Sequence, residues 1–138
     1  MISVLSTTGK YILQPSLMDM HHQSQSWAST SQLWKQELAF FKKLLSQYAF
    51  NLPDVAEKKK VDHFENLIIY YDGELIEGLQ KKIRDHEKHL ATMLQLENES
   101  DTQYFKEHQG LMNELEAVDS SFNEMKRELY AFIELRMK

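Results

Sequence analysis

Apolar residues recur along this chain every three or four positions over long stretches, the period of one helix face, and show no sustained strand-like alternation. Trp27, Trp34, Leu38, Phe41, Leu45 and Tyr48 form one such stripe and predict a helix over 27–50, stopped by Leu52-Pro53-Asp54. Asp54, followed three residues later by Glu57, is a capping-box-like opening for a second helix. Its stripe of Val61, Phe64, Ile68, Tyr71, Leu75, Leu79, Ile83, His86, Leu90 and Met93 carries it over 54–97. Ser100 and Gln103 make a second capping box. The third helix follows over 101–137, its stripe running from Tyr104 and His108 through Leu115, Phe122 and Leu129 to Phe132 and Arg136. Residues 1–25 are rich in Ser, Thr, Gln and His without a sustained period, and read as a flexible or loosely docked arm. Residues 26–138 then make one helical domain.

Short connections force neighbouring helices antiparallel, so the expected fold is all-α, an up-down-up bundle of three long helices. Four glycines and two prolines in 138 residues are too few for the turns of a sandwich or barrel, which strengthens that reading. Two of the glycines, Gly73 and Gly78, fall inside the middle helix, and a break there would turn three helices into four.

Charge and composition remove whole classes of function. Sixteen basic residues are mixed among 21 acidic ones for a net charge of −5, so no basic face forms a nucleic-acid footprint. The chain contains no cysteine, which excludes disulfides, thiolate metal sites and a cysteine nucleophile. The longest uncharged apolar run, Leu67 to Tyr71, is far short of the ~20 residues of a membrane span. The opening residues lack the charged and apolar regions of a secretory signal, which points to the cytoplasm. Glycine-rich phosphate loops and a Gly-x-Ser-x-Gly elbow are absent, so the sequence supplies no catalytic motif and implies no cofactor.

The histidines carry the remaining chemistry. His86 and His108 occupy the apolar stripes of their helices, and His89 lies one turn from His86 on the same face. Folding the chain about turns near residues 52 and 99 sets His89 beside His108 and brings His21 and His22 level with residues 82–83. Imidazole is a common metal ligand, so His86, His89 and His108, with Glu87 or Glu107, are candidate ligands for Zn, Fe or Ni. That alternative would make the chain a metal-binding bundle with metal-dependent activity. The spacings match no familiar bundle site: no glutamate stands three residues before any of these histidines, and His86-Glu87-Lys88-His89 is one residue too short for the zincin motif.

The other candidate feature is aromatic. Leu67 to Tyr71 is apolar around its whole circumference, and the same folding rule sets it against Leu33, Trp34, Phe40, Tyr130 and Phe132. A helix apolar on all sides must be covered on all sides, which three helices do not achieve. Trp34, Phe40, Ile69, Tyr70, Tyr130 and Phe132 are therefore the candidate interface. The sequence reads as a non-enzymatic helical interaction or scaffold protein whose partner is a second copy or another helical protein. Glu37, on the Trp34–Phe41 face, calls for a partner such as Lys126, Arg127 or a tyrosine hydroxyl.

Overall fold

The structure is a computed structural model in which residues 15–48, 54–96 and 102–137 are described. The fold is all-α: helix α1 (Pro15–Tyr48), helix α2 (Val55–Tyr70), a π-helical segment (Tyr71–Ile76), helix α3 (Glu77–Gln95) and helix α4 (Thr102–Arg136). The backbone stays in the right-handed helical region at both ends of the π segment, so α2, π and α3 form one middle helix and the chain is a three-helix bundle. The stop at Pro53 and the Ser100 cap lie outside the described residues. Among the described residues no helix is long and apolar enough to cross a membrane.

Helix α1 starts at Pro15, twelve residues before the expected Trp27, so the second half of the supposed arm is helix. Proline suits the first turn, where its missing N–H costs no hydrogen bond. The stripe does extend back from Trp27, through Ser24 and Met20 to Leu17, at steps of three and four. It is hidden in the sequence because Ser24 and Ser31, both fully buried, occupy core positions where an apolar residue is expected.

The expected break near Gly73 is a change of register. Buried positions step by three and four through Val61, Phe64 and Ile68 of α2 to Tyr71 at the start of the π segment, and those in α3 continue through Leu79, Ile83, His86, Leu90 and Met93. Between them the next buried residue after Tyr71 is Ile76, five positions on. An α-helix would turn Ile76 off the core face. The wider π turn absorbs the extra residue, so both heptad series stay buried without a break. Leu75, on the expected stripe, is accordingly only half-buried.

The described residues group into two compact units. The first contains α1 up to Thr30 with Leu79–Leu115, and the second contains Ser31–Gly78 with the chain from Glu116. In the first unit Leu17, Leu90, Met93 and Tyr104 form a buried cluster, flanked by Met20, Leu94 and Phe105. The second unit has an aromatic core. Trp34 meets Phe122 edge-on with ring centroids 5.9 Å apart, Tyr71 lies 5.5 Å from Phe122, and Phe64 lies 5.6 Å from Phe132.

Polar groups in the second unit tie the same segments together. Asp54 caps α2 by accepting the Glu57 N–H at 2.8 Å. Glu57 does not complete the capping box: its carboxylate reaches Arg136 at 2.9 Å, and the Arg136 guanidinium lies 4.8 Å over the Phe132 ring. That contact accounts for an arginine on the apolar stripe of α4. Glu37 finds Lys126, one of its expected partners, at 3.1 Å. The Tyr71 hydroxyl and Ser121 Oγ are hydrogen-bonded at 2.8 Å.

Candidate functional site: a buried histidine chain

The first unit brings α1, α3 and α4 together around His86 and His108, both of which are buried. His86 comes from the heptad series of α3 and His108 from that of α4, so each is carried inward by the same periodicity that buries its leucine neighbours. His86 Nε2 and His108 Nδ1 are 2.9 Å apart and hydrogen-bonded. On the far side of His86, Nδ1 donates to Glu107 Oε1 at 3.1 Å, and His89 Nδ1 shares that oxygen at 2.9 Å. On the far side of His108, Nε2 meets Gln23 Oε1 of α1 at 2.7 Å. A single file of hydrogen bonds therefore runs Glu107, His86, His108, Gln23. Both ends touch solvent, since Gln23 is exposed and the Glu107 side chain is 40% exposed.

Aromatic rings wall the file. Tyr104 is stacked on His86 with centroids 4.2 Å apart and planes 4° from parallel, and Trp27 lies 4.6 Å from His108. Burial, followed by the positive charge of His86, pushes the His108 imidazole down to about 4. Burial alone would raise the Glu107 carboxyl, but hydrogen bonds from His89 and His86 outweigh it and hold the group below its ordinary value. Tyr104 is pushed up to about 12, by burial first and then by the carboxylates of Glu87 and Glu107. Beside the file, an open cleft of about 330 Å³ is lined by Lys82, Asp85, His86, Glu107, Gly110, Leu111 and Glu114. Lys82 bridges to both Glu114 oxygens across it, at 2.9 and 2.7 Å.

His86, His89 and His108 thus do gather as the sequence suggested, though the partnering differs. His108 bonds His86 in place of His89, because the true register is about one helical turn from the folding rule. His21 approaches by pairing with Glu87 at 2.8 Å. The ring nitrogens of His86 and His108 point at each other and at Glu107 and Gln23. Among the described residues no three His, Cys, Asp or Glu groups are placed to hold one metal ion, so the candidate ligand set is assembled as a hydrogen-bonded file. Gln23 is the site residue that sequence spacing did not single out, whereas Trp27 and Tyr104 were expected on the apolar stripes but not at this site. Gln23 was concealed by the apparent end of the helical pattern at residue 26.

The six candidate interface residues divide. Trp34 (3% exposed) and Phe132 (6%) belong to the aromatic core of the second unit and offer no surface. Phe40 (57%), Ile69, Tyr70 and Tyr130 (48%) are exposed. Phe40 and Tyr130 flank one buried ring, with centroids 6.2 and 5.7 Å from that of Phe41. Comparison with protein-family models, with curated proteins and with solved structures finds no match for this chain.

Proposed function

We propose that this chain is a helical interaction protein that self-associates through the Phe40–Tyr130 surface of its second unit. The observation that carries the reading is the pair of exposed aromatic rings on either side of Phe41, one from α1 and one from α4. Aromatic side chains of this size cost free energy when left in water and are enriched where proteins meet. Helical spacing extends the patch along α1 as Leu33, Gln36, Phe40 and Lys43, all exposed, and along α4 as Tyr130 and Glu134, with exposed Met137 just beyond it.

The charges favour a second copy as the occupant. The α1 edge carries Lys43 and the α4 edge carries Glu134, with the apolar rings beside them. A two-fold axis running along the helices lays α1 of one copy over α4 of the other, so Lys43 meets the partner's acidic edge and the reciprocal pair forms as well.

Sedimentation tests this. The expected result is a particle of twice the 16.3 kDa chain mass at micromolar concentration. Phe40→Glu and Tyr130→Glu should each give monomers with unchanged helical circular dichroism. Lys43→Glu should weaken association, and Lys43→Glu combined with Glu134→Lys should restore it. A wild-type mass of one chain at these concentrations overturns the proposal and leaves a different helical protein as the cover for this patch.

A further inference from the structure

Helix α1 is built differently in its two halves. Its inward positions repeat every seven residues in two series, Leu17, Ser24, Ser31, Leu38 and Leu45 in one and Met20, Trp27, Trp34 and Phe41 in the other. From Trp34 onward these positions hold only large apolar side chains, and Trp34, Leu38, Phe41 and Leu45 are all buried. Within residues 15–30, which belong to the first unit, Leu17 is the one position that is both apolar and fully buried. Met20 and Trp27 are half-buried, and the remaining inward position is Ser24.

Ser24 works against docking. It is fully buried, and its hydroxyl has no hydrogen-bond partner among the described residues, so closing α1 over it takes a polar group out of water and returns no bond. The segment also has little intrinsic tendency to stay helical. Ser24, Ser26, Ser29, Thr30, His21 and His22 all rank below alanine, and a helix of this length is marginal without tertiary contacts. Its ion pair between His21 and Glu87 joins two partly exposed side chains, which adds little to docking. The surface beneath is the opposite case. His86 is hydrogen-bonded to His108 and stacked on Tyr104, and Lys82 bridges to Glu114, so α3 and α4 are tied to each other without α1.

We propose that residues 15–30 form a strap that detaches from α3 and α4 as one unit while the rest of the protein stays folded. Closed, the strap buries Leu90 and Met93 under Leu17 and places the Trp27 ring 4.6 Å from His108. Open, it gives solutes access to His108, which is otherwise 3% exposed. The seam between Thr30 and Ser31, where the first unit's share of α1 ends, is the hinge. Beyond it Trp34 and Phe41 pack against Phe122, which stops the opening there.

Native-state hydrogen exchange of the full chain, resolved by NMR, reads this directly. The expected result is one common protection for the amides of residues 20–30, at least about tenfold lower than for residues 34–45 of the same helix. Ser24→Ala removes the unpartnered hydroxyl and should raise protection of the strap about tenfold. Leu17→Ala removes the buried apolar anchor and should lower it by about tenfold or more. Both variants should leave residues 34–45 unchanged. Diethyl pyrocarbonate modification of His108, located by mass spectrometry, is the second readout: it should be slower than wild type in Ser24→Ala and faster in Leu17→Ala. Helical circular dichroism establishes that the variants are folded. Protection of the strap equal to that of residues 34–45 overturns the proposal. Protection that climbs residue by residue from the start of α1, the mark of end fraying, overturns it as well, as does a variant that shifts both halves of α1 equally.

Discussion

Tyr104 lies flat against His86, ring centroids 4.2 Å apart, and is itself fully buried. The phenol therefore serves as packing for the apolar end of the first unit and as one wall of the histidine file. Tyr104→Ala should cost roughly 3–5 kcal/mol, the range for removing a buried aromatic ring, measured as the loss of unfolding free energy in urea. Because the cavity opens beside His86, the same variant should change the nitrogen shifts of His86 more than those of His63 in the second unit.

Acid should destabilise the protein through His108. Its folded value is about 4 against 6.5 for the free imidazole, so between these the unfolded chain binds more protons and stability rises with pH. The contribution is complete above pH 6.5 and is lost as pH falls to about 4, amounting to about 3 kcal/mol. Glu107 acts in the same direction. Held below the ordinary 4.5, its contribution is present above that pH and is lost as pH falls through its folded value. Urea unfolding across this range should show the slope in wild type, and His108→Gln should flatten the part between 4 and 6.5.

Glu37 and Lys126 are joined at 3.1 Å in the second unit, and the Lys126 ammonium also sits 4.8 Å over the Phe122 ring. Both side chains are mostly shielded from solvent, so this pair should exceed a surface ion pair. A double-mutant cycle with Glu37→Leu and Lys126→Met should give a coupling energy of about 1 kcal/mol, with each single variant less stable than the double. A coupling near zero would reduce Lys126 to its aromatic contact alone.

Gly78 and Gly110 occupy helix interiors, and an added methyl group would meet nothing within 4 Å at either. Glycine is disfavoured there because its backbone loses the most freedom on folding. Gly78→Ala and Gly110→Ala should each stabilise the protein by up to about 1 kcal/mol, seen as a rise of a few degrees in Tm. At Gly110 the methyl group would enter the cleft beside Glu107 without touching the file.

Much of the architecture was legible as periodicity. Steps of three and four mark the buried face of every helix, Asp54 caps α2 as its spacing to Glu57 implies, and Glu37 meets Lys126. The start of α1 was not legible, because two buried serines interrupt the apolar stripe and a serine in a sequence suggests a loop more strongly than a core. Trp34 and Phe132, on the predicted apolar stripes, face the core, whereas Phe40 and Tyr130, off those stripes, face water; naming all four as interface overlooked what the period already separated. All four lie in aromatic-rich segments, and the difference is which side of the helix each residue occupies.

What the sequence determined by itself is the class of fold and the histidines that enter it. A 3- and 4-residue apolar period, few glycines and few prolines admit only long helices, and histidines on that period are carried into the core whatever their chemistry. What only tertiary structure decided is the partnering. Whether His108 meets His86 or His89 depends on a shift of a single helical turn, too small for pattern to resolve. The five-residue step from Tyr71 to Ile76 is resolved by a π turn because packing of both heptad series outweighs the cost of locally widening the helix. The order of the file follows from hydrogen-bond partners on three different helices. Those partners are far apart in the chain and are joined only once α1, α3 and α4 pack together in the first unit.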